Sequence, residues 1–224
     1  MFLRSAIIIG VLTYACAAAS ADTVTTETSA DPSQSSDSME QPAVGDHWTY
    51  EIRDELTGLL KATTTNTITE ITPTDIAVRL EWPGKPHGYI LFDRSWSMKD
   101  NGGTWKFSPN DGTGIKEPLK VGNQWSFQSD DSDTQHGTFF KRSGKSKVVA
   151  AETVTTSAGT FETFKIETAI IIKLTNDATK KYESNTTTWY APSIDHWVKR
   201  TTKFLFDGRT TENTSTVLVE YGRR

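Results

Sequence analysis

Apolar and polar side chains alternate most regularly between Thr153 and Leu174. Phe164, Ile166, Thr168, Ile170, Ile172 and Leu174 fall on one face of this stretch and Thr163, Lys165, Glu167 and Lys173 on the other. A period of two marks a half-buried strand. Ser157-Ala158-Gly159 precedes it as a hairpin loop, in which Gly159 supplies the positive φ of a three-residue turn with a bulge.

The same alternation recurs elsewhere. Trp48, Tyr50 and Ile52 alternate with Thr49, Glu51 and Arg53, and a Thr-rich run from Lys61 to Ile71 turns at Pro73-Thr74-Asp75 into Ile76, Val78, Leu80 and Trp82. His87 to Phe92 is a short apolar strand. Turns at Asn101-Gly102-Gly103 and at Asn110 to Gly114 bracket Trp105 to Phe107. Asp130, Asp131 and Asp133 precede the segment Thr138 to Phe140, and Lys141, Arg142, Lys145 and Lys147 follow it, which predicts two solvated hairpin ends. Tyr182 to Ala191 runs into Pro192. In the next run Val198, Thr202, Phe204 and Phe206 share one face, and Lys199, Thr201 and Lys203 share the other. Asp207-Gly208 is a type I′ turn signal ahead of a last strand carrying Val217, Val219 and Tyr221.

No stretch sustains a helical period. About ten to twelve strands in one domain predict an all-β fold, a curved antiparallel sheet closing into a half-barrel or barrel, with a β-sandwich as the alternative. The pattern V-G-[DN]-x-W-[ST]-[FY] occurs twice, at Val44 and at Val121. It marks either two related β-meander halves or two similar strand starts that pack into one core.

Three segments follow from composition. Residues 1–21 read as an export signal, with Arg4 as the positive end, an apolar run too short to span a bilayer, and Ala19-Ser20-Ala21 at the cleavage site. Residues 22–43, rich in Ser, Thr and acidic residues, read as a disordered linker. Residues 44–224 form the antiparallel β domain. The expected location is periplasmic or secreted; the alternative is a lipid anchor on Cys16, the single cysteine. Loss of the signal leaves no disulfide and no thiol nucleophile. The formal charge of −4 contains no strongly basic tract, which argues against a nucleic-acid partner, and hydrophobic residues at 35% are too few for a membrane-spanning protein.

Chemistry has few handles in this sequence. His47, His87, His136 and His196 are far apart and form no H-x-H or H-E-x-x-H spacing, so neither a metal nor a cofactor is expected. Nucleophile-elbow, phosphate-loop and dinucleotide motifs are missing, so the chain is expected not to be an enzyme. Of the seven Trp, Trp48, Trp82 and Trp125 are in phase with apolar neighbours and predict core. Trp96, Trp105, Trp189 and Trp197 lie near turns and are the candidate ligand-binding residues at the mouth of a cavity.

The paired G-x-x-W starts, the hairpin E-T-V-T-T-S-A-G-T-F at Glu152 to Phe161, and W-Y-A-P at Trp189 to Pro192 followed by V-K-R at Val198 to Arg200 resemble a broad group of uncharacterised exported bacterial proteins. That group is similar to the LolA/LolB-like half-barrels. The resemblance implies a curved sheet sheltering an apolar or amphipathic ligand, and it carries no catalytic residues. An exported, non-catalytic binding protein is therefore expected, with an amphipathic small molecule or an envelope protein as its partner. The alternatives are an assembly component of the envelope and an enzyme whose site forms only in three dimensions.

Overall fold

The computed structural model describes residues 39–111 and 113–224. The leader at 1–21 and the linker from Asp22 to Asp37 and Ser38 lie outside the described residues. The strands all belong to one compact unit, Asp37–Arg224.

Twelve strands follow one another: β1 (His47–Asp54), β2 (Leu60–Ile71), β3 (Asp75–Glu81), β4 (Gly88–Asp93), β5 (Met98–Asn101), β6 (Trp105–Asp111), β7 (Gln124–Asp133), β8 (Thr138–Thr156), β9 (Gly159–Leu174), β10 (Asp177–Ala191), β11 (His196–Phe206) and β12 (Arg209–Gly222). Each pairs antiparallel with its neighbours in sequence, and β12 pairs with β1, so the sheet is a closed barrel. Closure leaves no free edge, the usual hazard of an open sheet. The only helical element among the described residues is one 3-10 turn, Pro192–Ile194, between β10 and β11.

Turn chemistry sets the hairpins. Between β8 and β9 only Ser157 and Ala158 are unpaired, one residue fewer than the three-residue loop expected, because Gly159 already pairs with Thr156. Gly159 does take a positive φ, 140°. Asp207 and Gly208, at φ 48° and 74°, both adopt the left-handed conformation that a type I′ turn needs.

The two V-G-[DN]-x-W copies build the same turn. Gly45 and Gly122 share a φ of 95°. The Gly45 N–H donates to the Ile68 carbonyl at 2.9 Å, and the Ile68 N–H returns to the Asp46 carbonyl at 2.9 Å. Gly122 and Val148 repeat the first bond at 2.8 Å, and Val148 and Asn123 the second at 2.9 Å. The likeness extends to the far hairpins: the Trp96 N–H bonds the Asp93 carbonyl at 3.1 Å and the Asp195 N–H bonds the Pro192 carbonyl at 3.1 Å. Trp96 and Asp195 both have positive φ, 61° and 45°. β1–β6 and β7–β12 thus share turn geometry at these two corresponding places.

One end of the barrel is filled. Trp48, Tyr50, Ile68, Ile76, Val198 and Leu218 are at most 1% exposed, and Ile194 from the 3-10 turn caps them. Met39, 2% exposed, packs into this cluster, and its N–H bonds the Ser193 carbonyl at 3.1 Å, so ordered packing begins before the Val44 boundary read from composition. The filled end is clamped where the ring closes. The Asp46 carboxylate, fully buried, accepts from Arg223 at 2.7 and 3.0 Å and from the Ala43 N–H at 2.8 Å.

The charge clusters differ from the expected pair of solvated hairpin ends. Only Asp133 sits at the β7–β8 turn, where it accepts the N–H groups of Gln135 and His136. Thr138 to Phe140 is the start of a strand of 19 residues, so the basic residues lie inside β8. Lys141 pairs with Asp130 on the outer face at 2.9 Å. Cross-strand neutralisation lets a charged run continue a strand where isolated charges would end it.

Candidate functional site

Period-two alternation carried around a closed ring makes the inner wall a continuous surface, and its character changes along the axis. At the filled end it is apolar. The next layers are hydroxyl-lined: Thr188, Arg200 and Thr216 are in register across β10, β11 and β12, followed by Thr186, Thr202 and Thr214. Nearer the far end Phe140, Tyr182, Phe204 and Phe206 form an aromatic wall, with centroids 4.7 to 6.3 Å apart between Tyr182 and the other three rings. These four rings are only half-buried although they face inward, whereas inward residues at the other end are closed to solvent. The barrel is therefore stoppered at one end and accessible at the other. A ring of twelve strands encloses more volume than the roughly eight-strand case in which side chains alone fill the interior.

Two arginines project into this interior. Arg142 faces Asp131 at 3.4 Å and lies over the Phe107 ring at 4.5 Å. Asp131, 4% exposed, is pushed above its ordinary value by burial, against the opposing pull of Arg142 and the Ser129 hydroxyl. Burial lowers Arg142 in turn. Among the described residues Arg200 has no such counter-ion: its Nε donates to the Thr188 hydroxyl at 3.1 Å, and its guanidinium lies over Trp197, 3.8 Å from the ring centroid. Burial lowers its pKa to about 10, so it stays charged at neutral pH. The sequence reading put Arg142 at a solvated hairpin end and passed over Arg200. Arg200 is in phase with Val198, Thr202 and Phe204, and a lone arginine in an inward phase was the signal.

The four tryptophans named from sequence do not form one cluster. Trp96 and Trp197, 7% and 8% exposed, meet through His196, whose ring lies 4.5 Å from the first and 3.7 Å from the second. Both belong to the stoppered end. There Trp197 stacks near Tyr50, whose hydroxyl donates to the Trp197 carbonyl at 2.9 Å. Trp105 is half-buried at the accessible end, 5.4 Å from Phe140. Trp189 lies across from Lys199 and Lys165, with their ammonium groups 4.9 and 5.2 Å from its ring, and its indole N–H donates to Glu152. Trp105 stands by Phe140 at the accessible end, and Trp197, at the stoppered end, lies under the Arg200 guanidinium.

A second polar group sits beside the 3-10 turn. The Tyr190 hydroxyl donates to Asp195 at 2.5 Å. Burial lifts the Asp195 carboxyl to about 6, against the lowering effect of Tyr190 and Trp96, with Glu117 raising it and Arg94 lowering it further. Tyr190 packs with Val148 and Ile166, and Ile115 and Leu119 from the β6–β7 connection cover them. Among the described residues no group of three or more His, Cys, Asp or Glu could hold a metal ion. Among them, too, no helix is long and apolar enough to cross a membrane.

Comparison with known proteins places the fold. Residues 135–201, from the β7–β8 turn into β11, match a family described as DUF3108-like. A Bacteroides fragilis protein provisionally named as exported, with a YmcC-like fold, superposes with a TM-score of 0.55 at 14% identity, covering 81% of this chain and 97% of its own. A provisionally named lipoprotein from Parabacteroides distasonis gives a TM-score of 0.51 at 14% identity, covering 82% and 98%. At such identities the likeness is one of fold. No curated protein matches the sequence.

Proposed function

We propose that this protein is exported and binds without catalysis, sheltering an amphipathic molecule inside the barrel. The observation that carries the proposal is the change along the inner wall, from a sealed apolar end through a hydroxyl-lined middle to an accessible aromatic end. An amphipathic molecule needs both kinds of surface, and a pocket of this design is a common one for small ligands. The leader read at 1–21 and the names of the two fold neighbours support an envelope or extracellular setting. Native mass spectrometry of protein purified from its own host tests the proposal. A co-purifying small molecule, or uptake of a fluorescent fatty acid quenched by Trp105→Ala or Phe204→Ala, is the expected result. A ligand-free mass together with no uptake overturns it.

One feature favours a second reading, an assembly role in the envelope. The β1–β2 hairpin tip presents Leu56, Leu59 and Leu60 at 83%, 68% and 49% exposure. Three apolar side chains on one exposed tip form a patch of the kind that marks contact sites. Cross-linking in cells that traps a reproducible protein partner through this tip supports assembly. Loss of no partner on Leu56→Ser with Leu59→Ser removes it.

A further inference from the structure

We propose that Arg200 is an anion-binding residue at the floor of the accessible interior and that the ligand carries a carboxylate-like or phosphate-like head group. The inference deepens the carrier function above and rests on it for the apolar part of the ligand.

The two inward arginines differ in their surroundings. Arg142 has Asp131 across from it; Arg200, among the described residues, has no carboxylate within ion-pair distance. Arg200 is half-buried, and a charge even partly withdrawn from water without a counter-ion carries a desolvation cost. Stacking on Trp197 at 3.8 Å offsets part of this cost. The rest is unmatched within the described residues. The geometry also leaves the useful edge free. Nε is committed to Thr188, which fixes the plane of the guanidinium, and the two terminal nitrogens make no hydrogen bond with a described residue. A terminal edge held in a fixed plane is the donor arrangement that grips a planar carboxylate or a phosphate with two parallel bonds.

Position supports the same occupant. The layer of Arg200 carries Thr188 and Thr216, and the next carries Thr186, Thr202 and Thr214, so hydroxyl donors surround the place where head-group oxygens would lie. Phe204 and Phe206 are four and six residues further along β11, which at ~3.3 Å per residue puts the aromatic wall roughly 13 to 20 Å from Arg200. A molecule entering through the accessible end head first would set its anion on Arg200 and its apolar body against Tyr182, Phe204 and Phe206.

Calorimetry on the full-length mature protein tests this with dodecanoate, dodecanol and inorganic phosphate as probes. Wild type is expected to bind dodecanoate about tenfold to a hundredfold more tightly than dodecanol, the range of a charge-assisted hydrogen bond. Arg200→Gln is expected to abolish that preference while keeping dodecanol binding, and Arg200→Lys to retain only part of it. Ligand-free Arg200→Met is expected to melt higher than wild type, since it removes an unmatched charge; a merely structural arginine would melt lower. Dodecanol binding without any carboxylate preference overturns the anion site and leaves the carrier function standing. Phosphate binding that depends on Arg200, with neither alkyl probe bound, keeps the anion site and overturns the carrier. No binding of any probe overturns both.

Discussion

Asp195→Asn should make the protein more stable at pH 8 and leave it unchanged near pH 4. The Asp195 carboxyl is raised to about 6 by burial beside Tyr190 and Trp96, whereas an unfolded Asp titrates near about 3.9. Below about pH 4 both states hold the proton and the group contributes nothing. Between about pH 4 and 6 the folded chain keeps a proton that the unfolded chain has lost, so stability falls as pH rises. Above the folded value the full cost of the buried anion is present. Two units at about 1.36 kcal/mol each give roughly 3 kcal/mol, which partial exposure of the side chain reduces to about 1–2. Asparagine removes the charge, keeps an oxygen that accepts from Tyr190, and tolerates the left-handed φ of 45° better than most residues. For a domain of this size about 1–2 kcal/mol corresponds to roughly 2–8 °C in Tm. Thermal melts of both proteins from pH 4 to 8 read it directly. Two curves that run parallel across that range would show that Asp195 is ionised in the fold at low cost, and the account of its burial would be wrong.

Other substitutions test the packing. An added methyl at Gly144 would lie 2.3 Å from the Phe127 ring and 2.7 Å from the Ala169 carbonyl, so Gly144→Ala should cost about 1–3 kcal/mol and Phe127→Leu should recover part of it in the double variant, as denaturant melts would show. Asp46→Ala removes three hydrogen bonds from a fully buried carboxylate and should lower stability by about 2–4 kcal/mol, with amide exchange accelerated first along β1 and β12. Ile166→Asp, at a site 3% exposed, should prevent folding, whereas Glu167→Lys on the outer face should change stability by less than about 1 kcal/mol; equal melting temperatures for the two would mean the strand faces are reversed.

The strands were legible because one buried face imposes a period of two, and the twin turns were legible because Gly followed by Asp or Asn is demanded by a positive φ at Gly45 and Gly122. Closure of the ring was left open between a half-barrel and a barrel. Nothing local to His47–Asp54 or Arg209–Gly222 encodes that they pair, since both strands would alternate in the same way at an open edge. β9 also shows where periodicity misleads. Phe161 and Thr163 are buried at one end and Ile166 at the other, so the inward phase changes between them, next to a register shift opposite Val148 and Ala150. A bulge on a neighbouring strand leaves no trace in the sequence of β9 itself. The candidate site was less legible than the strands. The four tryptophans named from sequence are spread along the barrel rather than gathered, and Arg200 was passed over, because a charged residue in an apolar phase looks like an interruption of the pattern until the ring around it is known.

The pairing of β1 with β12 fixes when this molecule can finish folding. Trp48 faces Tyr221 across that seam, 173 positions later in the chain. A ribosome adding about 5–20 residues per second needs roughly 10 to 35 seconds to bridge that gap. Through that interval one edge of β1 stays open to any passing strand, whether its own or another molecule's. Contacts this remote in sequence also slow the search for the native ring. A product cut short before Arg209 is consequently no smaller barrel but an open sheet with two adhesive borders, so a nonsense change or proteolytic trimming near the C-terminus would convert a self-contained molecule into one prone to associate.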